Sequence, residues 1–323
     1  MTRSRTRIDF GATVRASGAA LSLLLSLALV AGTAGATGGC APSPDRAGAP
    51  GSTIPVVAAE NFWGSIAQQL GGERVTVTSV ISNPNTDPHD YEPTVVDARA
   101  IATARYVVYN GVGYDPWIAR LLAADPVARR AELDAGSLVG AAQGSNPHLW
   151  YSPADVETVA ARMTGDYKRL DPAHSAYYDA RRSTFETTSL AEYKSLIATI
   201  RSTYAGVPVG ASESVVVPLA DALGLKLLTP QTFLDAISQG TDPNAADKAT
   251  IDAQIRSRQV KVFIYNRQNS TPDVAALVRE AAAAGIPVVT VTETLAPHGV
   301  TFQDWQVGQL RAIRRALAQA TGR

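Results

Sequence analysis

Short, nearly continuous apolar runs rich in β-branched residues recur along the chain, and stretches with helical spacing separate them. The runs are "IPVVAA" (54–59), "VTVTSVI" (75–81), "ARYVVYNG" (104–111) and "AELD" (131–134), then "VPVGAS" (207–212), "LKLLTP" (225–230), "VKVFIY" (260–265) and "IPVVTVTE" (286–293). Strands that are apolar on both faces and alternate with helices indicate parallel sheets covered on both sides. Four precede a long gap and four follow it. The pattern therefore predicts an α/β fold of two lobes, each with a four-stranded, mostly parallel sheet flanked by helices. The gap holds "HSAYYDARRSTFETTSLAEYKSLIATIRSTYAG" (174–206), where Phe185, Leu190, Tyr193, Leu196, Ile197, Ile200 and Tyr204 recur at helical spacing. Gly206 and Pro208 supply a stop signal. One helix of about 30 residues, about 45 Å long at 1.5 Å per residue, accounts for it most simply. The alternative is two helices broken near "TFETTS" (184–189), where Thr and Ser lower the propensity. Further helices are expected over 152–170, opened by Ser152 as cap and Pro153 in the first turn, and over 301–320.

The first forty residues follow another logic. Arg3, Arg5, Arg7 and Arg15 precede the short apolar run "GAALSLLLSLALVAG" (18–32), and small residues follow it up to "ATGGC". That is the layout of a secretory signal, and the apolar run is shorter than the ~20 residues a spanning helix needs. Cys40 is the single cysteine of the chain, so no internal disulfide can form. "TGGC" resembles the lipobox of bacterial lipoproteins, although Thr37 stands where Leu is usual. The resemblance implies lipid attachment at Cys40. Next, "APSPDRAGAPGST" (41–53) reads as a flexible tether. The expected organisation is a signal over 1–39, a lipidated cysteine and tether over 40–53, a first lobe over 54–173, a linker helix over 174–206 and a second lobe over 207–323.

Basic and acidic residues balance at 29 each, and loss of the signal with its four arginines and one aspartate leaves a small acidic excess. That excludes a nucleic-acid binder on charge grounds.

Only four histidines occur, and three of them directly follow a proline: His89 in "NTDPHDYEPT", His148 in "NPHLW" and His298 in "APHGV". Proline fixes its own φ and biases its neighbour towards extended backbone, so these imidazoles are expected in rigid loops. His89 follows the second strand and His148 the fourth; Glu213 lies just past the first strand of the second lobe, and Glu293 ends its last strand. All four stand at the carboxyl ends of parallel strands or in the loops leaving them, where ligands bind in open α/β sheets. If the lobes face each other, two imidazoles and two carboxylates close around a divalent cation. Such a set suits Zn²⁺, and also Mn²⁺ or Fe²⁺, and leaves little room for the open position of a catalytic metal. Spacing alone leaves an ordinary alternative open, with turn histidines and carboxylates at helix N-termini.

The words around these residues go further. "DPHDYEPT", "NPHLW", "SE" after a strand and "TET" at the last strand resemble, in order across roughly 54–320, the solute-binding lipoproteins of zinc- and manganese-family ABC transporters. The resemblance implies two four-stranded α/β lobes joined by a rigid helix, with His89, His148, Glu213 and Glu293 as metal ligands. It also implies delivery of the ion to a membrane permease, attachment to the membrane through a lipid anchor, and a monomer without enzymatic activity. Family members often carry Asp at the position of Glu293, which leaves His298 as a possible substitute. The second word is commonly Asp-Pro-His, whereas here Asn146 precedes Pro147, so no carboxylate can brace the imidazole from that position. A His-rich acidic loop is lacking, and Glu213 stands where many zinc members have His; both departures tilt the expectation towards Mn²⁺ or a broader site. Two other classes stay in view, a metal-dependent hydrolase and a surface adhesin or structural lipoprotein. Against the hydrolase, the chain has no HExxH or GxSxG word and no nucleophilic cysteine. His174 is expected to cap the linker or face solvent, and Glu60 to stay out of the ligand set. Trp63, Tyr91 and Trp150 are expected as cleft walls or core.

Overall fold

The computed structural model describes residues 53–86, 88 and 91–323, so the signal, Cys40, most of the tether and His89 lie outside the described residues. The first sheet consists of β1 (Ile54–Glu60), β2 (Val75–Ile81), β3 (Tyr106–Tyr109) and β4 (Ala131–Asp134). The second consists of β5 (Pro208–Ala211), β6 (Lys226–Leu227), β7 (Val262–Asn266) and β8 (Val288–Val291). The strand orders are β2-β1-β3-β4 and β6-β5-β7-β8, and every pair is parallel. Both sheets thus reverse their winding beside the first strand of the half, between β1 and β3 and between β5 and β7. Such a switch point opens a crevice at the carboxyl ends of the strands.

The helices covering these sheets are α1 (Asn61–Gly71), α2 (Val95–Thr103), α3 (Pro116–Ala124), α4 (Ala135–Val139) and α5 (Pro153–Leu170) in the first half. In the second they are α8 (Val216–Leu223), α9 (Gln231–Ser238), α10 (Ala245–Arg256), α11 (Pro272–Ala283) and α12 (Phe302–Thr321). Alternation along β1 explains its two covered faces. Val56 and Ala58 pack towards Phe62, Trp63 and Ile66 of α1, whereas Val57 and Ala59 join Ile101, Trp117 and Ile118 of α2 and α3. The larger of these clusters continues without a break from β1 through Trp150 and Tyr151 to Val209, Phe263 and Trp305 of the second half. One hydrophobic core therefore spans both sheets. Buried Tyr151 ties them further, since its hydroxyl bonds to Thr292 O at 2.7 Å and Gln309 Oε1 at 2.9 Å.

Between the halves run α6 (Ser175–Thr184) and α7 (Ala191–Tyr204), joined by a π turn over Phe185–Ser189. The turn is closed by Leu190 N donating to Phe185 O at 2.9 Å, and Thr187 Oγ1 donates to the Ser183 carbonyl at 2.7 Å. Hydroxyls that bond to the preceding turn loosen a helix, and the inserted residue re-registers the apolar stripe so that Phe185 and Leu190 are both buried. The linker is therefore two α-helices joined by the π turn and the turn residue Leu190, interrupted where the two-helix alternative placed its break and not one continuous helix.

Local chemistry elsewhere follows the sequence closely. Ser152 caps α5 by accepting from Asp155 N, with Pro153 in the first turn, and Thr301 caps α12 by accepting from Asp304 N. Several expected strands are shorter, among them two in the second half. The 225–230 run pairs only over Lys226–Leu227, and β8 stops at Val291 because side-chain amides take over its ladder. Thr292 N donates to Gln309 Oε1 at 2.9 Å and Glu293 N to Gln268 Oε1 at 2.6 Å. That exchange lifts Glu293 off the sheet edge. Among the described residues no helix is long and apolar enough to cross a membrane.

Candidate metal centre

His148 sits in the loop after α4, one residue before a short 3₁₀ turn (Leu149–Tyr151), and it is fully buried. Trp150 meets its ring edge-on at 5.2 Å between centroids, and Tyr114 does so at 5.9 Å. Asn146 sets the orientation. Its Oδ1 accepts from the His148 backbone N–H at 3.0 Å, which identifies that atom as the amide oxygen. The same oxygen lies 2.8 Å from His148 Nδ1, so Nδ1 carries the proton and Nε2 keeps its lone pair. Asn146 Nδ2 donates to Ser214 O at 2.7 Å across the halves. A neutral amide thus provides the brace that a carboxylate cannot provide here.

Glu213 follows β5 and Glu293 follows β8, and both are fully buried. His148 Nε2 lies 3.9 Å from Glu213 Oε1 and 3.7 Å from Glu293 Oε2. Among the described residues these three form the one group of His, Cys, Asp and Glu whose donor atoms converge, all within 4.8 Å of one another. Ligands at ~2.0–2.1 Å around a tetrahedral ion stand about 3.3 Å apart. The two distances from His148 Nε2 to the carboxylates need to contract by about half an ångström to match that separation. An imidazole lone pair and two carboxylates fit a divalent transition-metal ion in charge and donor type.

Neutral donors position both carboxylates, and sequence reasoning passed over them. Buried Asn266, the last residue of β7, donates through Nδ2 to Glu213 Oε2 and to Glu293 Oε1, the latter at 2.7 Å. Its own Oδ1 accepts from Gln268 N at 3.1 Å. Ser238 Oγ donates to Glu213 Oε1 at 3.1 Å, and Tyr114 Oη donates to Glu293 Oε2 at 2.8 Å. Gln268 Oε1 receives Glu293 N at 2.6 Å and Thr294 N at 3.1 Å, while its Nε2 reaches Thr86 O at 2.9 Å. Asn266 was findable by the rule used for the glutamates: it is a polar residue closing an apolar strand at its carboxyl end. Tyr114 and Ser238 carry no comparable signal. Both line a cavity of about 550 Å³ that opens beside the centre between the halves.

Glu60 and Asn110 stand at the matching switch point of the first sheet, and there the chemistry differs. Asp115 accepts from Asn110 N at 2.6 Å and Gly111 N at 2.8 Å. Asn110 in turn donates to Pro147 O at 2.7 Å, which anchors the loop just ahead of His148. Glu60 faces Asp115 in the interior, not the converging donors. Burial pushes the Glu60 carboxyl well above its ordinary range, and the Asp115 charge and hydrogen bond add to that. Burial likewise lifts Asp115 to about 6, against the lowering effect of its N–H donors.

The remaining expected residues divide plainly. His298 is exposed and lines a separate groove with Asn61, Gln68 and Ser82. His174 Nδ1 pairs with Asp171 at 2.7 Å beside the linker. Trp63 and Trp150 are core, and Tyr91 Oη bonds to Asp97 at 2.8 Å against Trp117.

Comparison with known proteins yields a family match over residues 56–316, to the family described as ZnuA, zinc-uptake complex component A, periplasmic. A putative metal-binding protein of Treponema pallidum is 27% identical over 173 residues, 47% of this chain and 54% of that protein. The manganese-binding lipoprotein MntA of Halalkalibacterium halodurans is 26% identical over 151 residues, 46% of this chain and 50% of that one. The chain thus spans about half the length of these curated relatives. The solved structure of a Mn-bound mutant of a periplasmic metal-binding protein from candidatus Liberibacter asiaticus superposes with a TM-score of 0.69 at 20% identity. It covers 82% of this chain and 100% of that one, which establishes a shared fold.

Proposed function

The chain belongs to the family of periplasmic zinc-uptake complex component A, and on that premise we propose that it captures a divalent transition-metal ion, Zn²⁺ or Mn²⁺, outside the cytoplasm and hands it to the permease of an ABC transporter. The observation that carries this reading is the convergence of His148 Nε2, Glu213 Oε1 and Glu293 Oε2 in a buried space between two sheets. His89, eight residues past β2 in the sequence, is the proposed fourth ligand. With four protein donors the ion is held and not presented to a substrate, so the protein carries the metal and does not use it in catalysis. Residues 1–39 direct export, Cys40 takes the lipid, and residues 41–53 tether a monomeric two-lobe body to the membrane surface.

Metal analysis of protein isolated from its own membranes tests this. One Zn²⁺ or Mn²⁺ per chain, released by a chelator and regained on titration, is expected. A chain that neither carries nor rebinds a divalent ion sinks the proposal.

A further inference from the structure

The two halves repeat one local pattern at their switch points. Glu60, Ala67 and Gly71 recur, at the same spacing, as Glu213, Ala220 and Gly224. Tyr-Asn stands at the carboxyl end of both β3 and β7, as Tyr109-Asn110 and Tyr265-Asn266. Ala58 pairs with Val108 and Ala211 with Ile264. Two residues further on, Glu60 therefore stands level with Asn110 as Glu213 stands level with Asn266. In the second half that asparagine donates to the two carboxylates of the centre. In the first half Glu60 faces Asp115 instead, and the asparagine serves another partner. Asn110 is fully buried. Its backbone N–H donates to Asp115 Oδ2 at 2.6 Å and its carbonyl accepts from Gly136 N at 2.8 Å. Trp63 Nε1, which can only donate, meets Oδ1 at 3.2 Å, so the amide nitrogen is the end that reaches Pro147 O at 2.7 Å. The same carbonyl accepts from Leu149 N at 2.8 Å across His148. With φ −79° and ψ 54°, His148 is the central residue of an inverse γ-turn. Both acceptor positions of the Pro147 carbonyl are thus filled. The turn sets the direction in which His148 leaves the backbone, and Asn146 then sets the ring.

We infer that Asn110 is a positioning residue for His148: by holding the Pro147 carbonyl it fixes the tight turn that aims the imidazole at Glu213 and Glu293. It is the first half's counterpart of Asn266, acting on the donor of its own half through the backbone. This rests on the metal-capture reading and deepens it, since Asn110 touches no ion and works only through another side chain. Without its N–H the turn is closed by Leu149 N alone, and the imidazole loses one of the bonds that hold its backbone in place.

A double-mutant cycle separates this role from a structural one. Zn²⁺ affinities are measured by chelator competition, above neutral pH, for the full chain, Asn110→Asp, Asn110→Ala and His148→Ala, and for each Asn110 change combined with His148→Ala. Asn110→Asp keeps the size and the acceptor for Trp63 Nε1 but cannot donate to Pro147 O once ionised. Asn110→Ala removes both bonds and adds no charge, so a variant that fails to fold leaves the other to decide. Each should weaken Zn²⁺ binding about tenfold in the otherwise unchanged chain, the scale for groups that orient ligands. Neither should change the affinity that remains in His148→Ala. An equal loss in both backgrounds assigns Asn110 a structural role only and overturns the inference, and so does wild-type affinity in both single variants. Long-range ¹H–¹⁵N spectra of the metal-free chain give a second reading. The imidazole signals of His148 should shift or broaden in the Asn110 variants while those of His174 stay in place, and unmoved His148 signals overturn the inference. A wild type that binds no Zn²⁺ overturns instead the reading on which the inference stands.

Discussion

Replacing Asn146 by alanine is expected to weaken metal binding by about 10–100-fold while leaving every proposed ligand in place. The side chain makes three bonds: it accepts from His148 N at 3.0 Å and from His148 Nδ1 at 2.8 Å, and it donates to Ser214 O at 2.7 Å. Alanine leaves the Nδ1–H of a fully buried imidazole without this acceptor, a cost of about 1–3 kcal/mol. The imidazole can recover part of that by moving its proton to Nε2, where Glu293 Oε2 at 3.7 Å and Glu213 Oε1 at 3.9 Å can accept it. An incoming cation must then displace that proton, so the cost falls on binding. At about 1.4 kcal/mol per decade, 1–3 kcal/mol is one to two orders of magnitude in Kd. Asn146→Asp keeps the acceptor and loses the donor to Ser214 O, so it should fall between wild type and alanine. Calorimetric titration with Zn²⁺ against a competing chelator gives the affinities, and ¹⁵N spectra of the imidazole give the tautomer. Wild-type affinity in Asn146→Ala, or an Asp variant as weak as the Ala variant, refutes this chain of reasoning.

Three further expectations follow from other parts of the molecule. Cys40→Ala should release the protein from the membrane fraction or leave it unprocessed; lipid-labelled protein in that variant speaks against the anchor. Glu60 and Asp115 both hold their protons more tightly folded than unfolded, through burial above all. The stability tied to this pair is therefore full below the ordinary carboxylate range and lost as pH rises through the folded values, about 6 for Asp115. Glu60→Gln removes one of these protons from the balance. Its stability relative to wild type, without metal, should rise as pH goes up through the folded values, read as a rising difference in melting temperature, and a pH-independent difference would show that the pair does not titrate as argued. Small-angle scattering with and without metal should nearly superimpose, because one core and the Tyr151 bonds to Thr292 and Gln309 span both halves; a clear change in radius of gyration would point to a working hinge.

The elements that the sequence displayed best are those whose physics is local. The strands showed best where burial on both faces demands apolar residues at nearly every position, as in β1, β3, β5 and β7. Ser152 and Pro153 announced α5 by cap chemistry that needs no tertiary partner. Glu213 and Glu293 were legible as candidates because they stand at the carboxyl ends of two strands of the second half, and His148 because it is one of three histidines placed behind a proline. What stayed hidden is chemistry created only by distance in the chain. Asn266 and Tyr114 are neutral residues whose role exists once β7, β8 and the loop after β3 meet over Glu293. Gln268, by taking the N–H groups of Glu293 and Thr294, ends β8 earlier than its apolar run suggests. The π turn at Phe185–Ser189 shows in sequence only as weak propensity, since the core contacts of Phe185 and Leu190 decide it.

One titration series tests the proposed ligand set directly. Zn²⁺ and Mn²⁺ are titrated into wild type and into His89→Ala, His148→Ala, Glu213→Ala, Glu293→Ala, His298→Ala and His174→Ala. Each of the first four removes a donor from the ion, and each should cost well beyond the ~10–100-fold typical of groups that only orient ligands. Affinity in the wild type should also fall as pH drops through the imidazole range, since a protonated histidine cannot ligate. His298→Ala and His174→Ala should bind as wild type does, because His298 is exposed in a separate groove and His174 pairs with Asp171. Wild-type affinity in Glu293→Ala together with a loss in His298→Ala would contradict the account at its centre.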